Sequence, residues 1–143
     1  MTLLDTHRAL LDGALAASAA RAYWSPFPEN ASPKIYGETA QTDGQAAVQA
    51  LLGQDYPLQQ PGETGRIATE RSPYGVEMGV RYPECSVDAL IAAAQAAEPA
   101  WTALGAQGRT GVLLEALTRI HKRTHEIAHA VMLTTGQGPM MAF

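Results

Sequence analysis

Residues 125–129 read His125-Glu126-Ile127-Ala128-His129, a match to the zinc-hydrolase pattern H-E-x-x-H. Two histidines one helical turn apart can grip a single zinc ion, with the glutamate activating a bound water. A catalytic zinc also needs a third protein ligand. The chain offers only His7, His121 and scattered carboxylates for that place. His121 lies four residues before His125. On one continuous helix His121 and His129 would stand about 12 Å apart along the axis, at roughly 1.5 Å per residue. Three histidines so spaced do not close on one ion. The expectation is that His125 and His129 form a polar edge beside an apolar stripe, and no metal ligand is assigned. A zinc hydrolase would instead carry stoichiometric zinc, lost in His129→Ala.

The other reactive residue types lack their usual settings. Cys85 is the single thiol and sits ahead of an expected helix start, where a thiolate can be favoured. It has no histidine near it in sequence, and the reading is an inert cysteine at a strand-to-helix junction. Gly136-x-Gly138 follows a helix rather than a strand and lacks a third glycine, so it fails the context of a dinucleotide loop. No serine occupies a G-x-S-x-G elbow. Arg119, Lys122 and Arg123 cluster near an expected helix end, where cations complement the dipole. No catalytic and no cofactor-binding residue is assigned.

Composition narrows the function class. The 143 residues make one domain at most, long enough to bury a core. A formal charge of -4 argues against a nucleic-acid partner, which would require a basic stripe. One cysteine excludes an internal disulfide and fits a reducing compartment, with the cytoplasm expected. No apolar run approaches the roughly 20 residues of a membrane-spanning helix. Residues 10–20 end in small side chains, as a signal peptide does, but Asp12 interrupts their apolar part and Asp5 offsets Arg8.

The elements that must position these residues are mostly helical. Residues 2–22 carry Leu4, Leu11 and Leu15 near one face and are expected to form a single helix. Tyr23-Trp24-Ser25-Pro26-Phe27-Pro28 is expected to be extended and packed on a surface, and residues 32–37 to be irregular. Thr42 or Asp43 is expected to cap a short helix ended by Gly53. Residues 66–82 read as a β-hairpin. One arm holds Ile67 and Thr69, the other Val76, Met78 and Val80, around the turn Ser72-Pro73-Tyr74-Gly75. Ser86 is expected to cap a helix burying Val87, Leu90, Ile91 and Ala94 and ending at Glu98-Pro99. A second helix starts near Gln107, with Val112, Leu113, Ala116, Leu117 and Ile120 inward. A third starts at Thr124, with Ile127, Ala128, Val131 and Met132 apolar, and stops at residues 136–139. Residues 140–143 can continue as helix.

From Pro61 onward this order of features resembles the N-terminal part of the aldehyde dehydrogenase superfamily. The residues that carry the likeness are Thr64-Gly65 before a strand pair, Val87-Asp88-Ala89, Pro99-Ala100-Trp101 and Arg109. Leu113-Leu114, Glu126-Ile127-Ala128 and Leu133-Thr134-Thr135-Gly136 before Pro139 continue it. The run Tyr23–Glu29, with Ser32-Pro33-Lys34, Tyr36-Gly37-Glu38 and Arg71-Ser72-Pro73-Tyr74-Gly75, is similar to the phenylacetic acid degradation branch, the PaaN-type proteins.

The resemblance implies a mainly α fold with a β-hairpin, the N-terminal portion of a longer α/β subunit. Residues 1–60 would supply a helix and an extended Pro/aromatic segment. Residues 61–143 would begin an incomplete nucleotide-binding domain. The parent would oxidise an aldehyde with NAD or NADP through a cysteine thiohemiacetal, in aromatic-acid breakdown, on a CoA-linked semialdehyde of the phenylacetate route. Cys85 lacks the glycine- and glutamine-rich setting of the family nucleophile. The fragment alone is expected to bind no cofactor and to be inactive. Its partners would be the rest of the subunit and like subunits in a homo-oligomer, with no nucleic acid and no membrane. A second reading is a short non-catalytic interaction module that binds a partner through apolar helix faces.

Overall fold

A computed structural model describes residues 2–143, which fall into two compact units, residues 2–30 with 99–122 and residues 31–98 with 123–143.

In the first unit, α1 (Leu3–Thr6) and α2 (Arg8–Ala20) replace the single helix expected over residues 2–22. Thr2 and Asp5 form a capping box that starts α1. The Asp5 amide donates to Thr2 Oγ1 at 3.2 Å, and the Thr2 amide donates to Asp5 Oδ2 at 2.9 Å. The break falls at His7 (φ -106°, ψ 15°), a backbone geometry outside the helix. Leaving the helical path there lets the buried His7 ring reach Glu115 on α6 (Gly105–Lys122), with Nε2 2.7 Å from Oε2.

Helix α1 approaches α6 at Gly111. A Cβ on that residue would stand 2.6 Å from the Leu4 amide nitrogen, so only glycine admits the approach. This contact decides which face of α6 turns inward. Gly111 is buried and Leu114 and Glu115 are half-buried. Leu113, Leu117 and Ile120, expected inward, are exposed. The extended segment after α2 behaves as expected in part. The Trp24 ring covers Gly13 and the Phe27 ring meets His121 at a tilt, with centroids 5.1 Å apart, while Tyr23 is exposed.

Helix α5 (Val87–Ala103) starts where Ser86 predicts, with the Ala89 amide donating to Ser86 Oγ at 3.4 Å. It does not stop at Glu98. Pro99 lies inside the helix. A proline there removes one backbone hydrogen bond, at a cost of about 3 kcal/mol. The alanine-rich turns on both sides have the highest helix propensity and carry the helix through. No residue of α5 is buried, and Val87 is 67% and Ile91 51% exposed, against the expectation of an inward apolar face.

In the second unit, Ser32 caps a short helix α3 (Pro33–Tyr36), where irregular chain was expected. Proline at the first helical position suits the start, since its missing N–H would have had no partner there. Helix α4 (Ala40–Leu51) begins slightly before the expected Thr42 or Asp43, and Gly53 (φ 70°) follows its end. Val48 of α4, Met78 and Leu133 form the core, with Leu52, Val76 and Ala130 packed around it. Leu133 belongs to α7 (Thr124–Thr135), which ends at Gly136 in the left-handed region (φ 75°). Pro139 opens the short α8 (Pro139–Ala142).

The hairpin is present but shifted. Strand β1 (Glu63–Ile67) pairs antiparallel with β2 (Tyr82–Cys85), in register Glu63↔Cys85 and Ile67↔Tyr82 with an irregularity between Glu63 and Gly65. The expected turn forms, with the Gly75 amide donating to the Ser72 carbonyl at 3.0 Å. Residues 76–80 form no regular strand, with Gly79 in the left-handed region (φ 58°), but their burial alternates, Met78 and Val80 in and Glu77 out. Their backbone partners are not residues 67–69. The Gly53 amide donates to Met78 O at 2.9 Å, the Arg81 amide to Gln54 O at 2.9 Å, and the Tyr56 amide to Arg81 O at 2.8 Å. Alternation signalled burial correctly but did not reveal the partner.

Candidate functional site

The H-E-x-x-H residues occupy the first half of α7, and the helix divides them by face. His125 and His129, one turn apart, line a groove of about 410 Å³ in the second unit, together with Gln41 and Gln45 of α4, Met132 of α7 and Met140 of α8. The α4 and α7 backbones come close beside it, since Gly44 stands against His125. The His125 ring is held between Tyr36, edge-on at 5.0 Å, and Phe143, tilted at 5.1 Å. Desolvation raises the Tyr36 phenol above its ordinary pKa.

The Nε2 atoms of His125 and His129 are both buried, and neither has a hydrogen-bond partner among the described residues. A buried polar atom left unpaired costs about 1–3 kcal/mol, so two on one helix are unusual.

Glu126 does not serve these histidines as a base. Arg123 Nε donates to Glu126 Oε2 at 2.8 Å, and the Arg123 Nη2 hydrogen meets the other carboxylate oxygen. The bidentate contact holds the Glu126 carboxyl below its ordinary range and raises the guanidinium further, with Tyr56 adding to the latter. The pair lines a different, smaller cavity of about 240 Å³ with Val48, Met78, Tyr56 and Tyr82. Tyr82 is pushed up to about 12, by burial first and then by the Glu70 carboxylate that accepts its hydroxyl at 3.0 Å.

The remaining sequence candidates are dispersed. His121 lies on α6 against Phe27, and His7 is engaged by Glu115. Among the described residues no three His, Cys, Asp or Glu side chains gather as a metal site would require. The continuous helix assumed for His121 and His129 is interrupted at Arg123 (φ -109°, ψ 16°). Cys85 is the last residue of β2, free and half-buried, two residues before α5. Arg119 is paired to Glu115 at 2.7 Å within α6, and Arg123 to Glu126.

Gly136 closes α7, its amide donating to Met132 O at 3.0 Å while its carbonyl accepts the Tyr74 hydroxyl at 3.0 Å. That glycine pair is a helix stop with both backbone groups engaged. Gly136 and Gly138 follow a helix rather than a strand, so this pair does not fit a dinucleotide cradle, which takes a strand, a glycine turn and a helix N-terminus. No helix among the described residues is long and apolar enough to cross a membrane.

Sequence reasoning placed Met132 only in an apolar stripe and passed over Met140, Gln41 and Gln45. The spacing His125, His129, Met132 (i, i+4, i+7) was the available signal for one face.

Comparison with known proteins gives two findings. The aldehyde dehydrogenase family matches residues 60–142. The crystal structure of an NAD-dependent aldehyde dehydrogenase from Burkholderia multivorans superposes with a TM-score of 0.90 at 49% sequence identity, covering 99% of this chain and 26% of that chain. The helices and two-stranded hairpin correspond to the N-terminal part of that fold. The chain thus spans about a quarter of the length of the enzyme it matches. No curated protein sequence matches it.

Proposed function

The chain belongs to the aldehyde dehydrogenase family, and on that premise we propose that it is part of an NAD-dependent, aldehyde-oxidising subunit of aromatic-acid catabolism. The observation that carries the proposal is the family match over residues 60–142, joined to 49% identity along nearly the whole chain with an enzyme described as NAD-dependent. In this reading the nucleotide cradle and the reacting cysteine lie in the remainder of the subunit, and the chain by itself does not turn over. Its role is to pack against that remainder and against like subunits in the cytoplasm. The exposed apolar side chains of α5 and α6 (Val87, Ile91, Leu113, Leu117 and Ile120) are the surfaces it offers.

The assignment to phenylacetate breakdown rests on the resemblance of Tyr23–Glu29 and Arg71–Gly75 to that branch. Its substrate there would be a CoA-linked semialdehyde.

A chimera tests the enzymatic part. The matched quarter of the Burkholderia multivorans enzyme is replaced by this chain, and NADH formation is followed with a panel of aldehydes. Turnover by the chimera and none by the isolated chain is the expected result. Sustained turnover by the isolated chain would overturn the proposal. The pathway assignment is tested in source cells, where the polypeptide should rise in abundance on phenylacetate relative to succinate; equal abundance contradicts it.

The same apolar faces suit a second reading, a short module that captures a partner. Concentration-dependent association of the isolated chain, with no longer form in the cell, would favour it.

A further inference from the structure

We propose that the cavity between α4, α7 and residues 78–82 is a socket for one apolar side chain from the remainder of the subunit. The inference rests on the family reading, and it concerns a different surface from the exposed faces of α5 and α6.

The cavity lies wholly within the second unit and holds about 240 Å³. Val48, Met78 and Val80, each no more than 4% exposed, make its floor. Ile127 and Val131, at i and i+4 on α7, line one wall, and the half-buried Leu51 of α4 lines another. Ile127 is 40% exposed, an apolar side chain left open to solvent beside that buried floor.

The polar side chains around the cavity are spent on one another. Tyr82 donates to Glu70 at 3.0 Å, Arg123 holds Glu126 in a bidentate contact, and Tyr56 engages Arg123. Thr134 Oγ1 donates to the Ala130 carbonyl at 2.9 Å. A free small molecule is oriented by a few convergent polar groups, and these are already committed. An apolar floor ringed by satisfied polar groups suits a hydrophobic anchor instead. Roughly 150 Å³ accommodates a benzene ring, so one aromatic or branched aliphatic side chain fits. A charged side chain does not, since it would lose its water without gaining a partner. The solved enzyme that superposes on 99% of this chain has only 26% of its own length in the match. The rest of such a subunit lies outside residues 1–143, and a segment of the same polypeptide meets the cavity at high effective concentration.

The test compares the isolated chain with the chimera that joins it to the remainder of the Burkholderia multivorans enzyme. Ile127→Cys puts a thiol at the cavity wall, and iodoacetamide labelling of that peptide is followed by mass spectrometry. The introduced thiol should react more than about tenfold more slowly in the chimera, because a covered site is reached only through local opening. Leu51→Cys, on the α4 wall, repeats the measurement if Ile127→Cys does not fold. Ile127→Asp should leave the urea midpoint of the isolated chain unchanged. It should lower that of the chimera, where the carboxylate would be buried unpaired. Equal labelling rates in an active chimera overturn the socket and leave the family reading standing. So does a chimera indifferent to Ile127→Asp. A chimera without turnover on any aldehyde fails the family reading, and the socket with it. Protection that grows with the concentration of the isolated chain assigns the cavity to a second copy and also overturns the proposal.

Discussion

Gly44 of α4 and His125 of α7 are in direct backbone contact: a Cβ on Gly44 would stand 2.6 Å from the His125 carbonyl carbon and 2.7 Å from the Glu126 amide nitrogen. These are backbone atoms, which cannot swing aside. Gly44→Ala gains up to about 1 kcal/mol of helix propensity but forces the two helices apart. Overpacking of this kind costs about 1–3 kcal/mol. The expected net result is a lower urea midpoint for Gly44→Ala than for the parent chain. An unchanged or raised midpoint would show that α4 and α7 do not touch there.

Pro99 makes the opposite case. It sits inside α5 without a backbone donor. Pro99→Ala restores that donor and should stabilise the chain by about 1–3 kcal/mol. Circular dichroism should show no loss of helix, with unfolding moved to higher urea. Destabilisation would mean that the proline terminates the helix after all.

Acid should weaken both units through Glu115 and Glu126. Glu115 is held below its ordinary value of 4.5 by Arg119 and then by His7, and Glu126 below the same 4.5 chiefly by Arg123. A depressed folded-state pKa adds stability that is complete above the unfolded value and is lost as pH falls through the folded one. The urea midpoint should therefore drop on acidification below about pH 4.5. Glu126→Gln should cost about 0.5–1 kcal/mol at neutral pH, because Arg123 is half exposed. It should also flatten the acid limb, and an acid limb as steep as that of the parent would contradict the ion pair.

At alkaline pH the sign reverses. Tyr82 is raised to about 12 from the ordinary phenol value of 10.0. Its contribution to stability is complete below pH 10.0 and is lost as pH rises towards 12. Ultraviolet titration of the folded chain should show one phenol ionising well after most of the others. Tyr82→Phe should remove that late step. Survival of the late step in Tyr82→Phe would assign it elsewhere.

Much of α7 was readable in the sequence, from Thr124 at its start to Gly136 at its stop, because a helix and its caps are local chemistry. The start of α5 at Ser86 was readable for the same reason. The inward face of α6 was not. Its apolar positions nearly encircle the helix, and a small residue, Gly111, makes the close approach to Leu4. The pairing of residues 76–81 was also hidden, since alternation shows which side chains are buried and not that residues 53–56 lie alongside. The site divides in the same way. His125 and His129 stood out by spacing, but Tyr36, Gln41, Met140 and Phe143 come to them from three other parts of the chain. Only the fold brings those together.

The central claim is that this chain is part of a longer oxidoreductase subunit, and the intact mass of the native polypeptide tests it most directly. An antibody to residues 125–143 would isolate it from source cells for mass spectrometry. The account predicts a species about four times heavier than the 15.2 kDa of this chain, since the chain covers 26% of its structural relative. A native species of 15.2 kDa with no heavier form would contradict it, and would make the partner-binding module the better account.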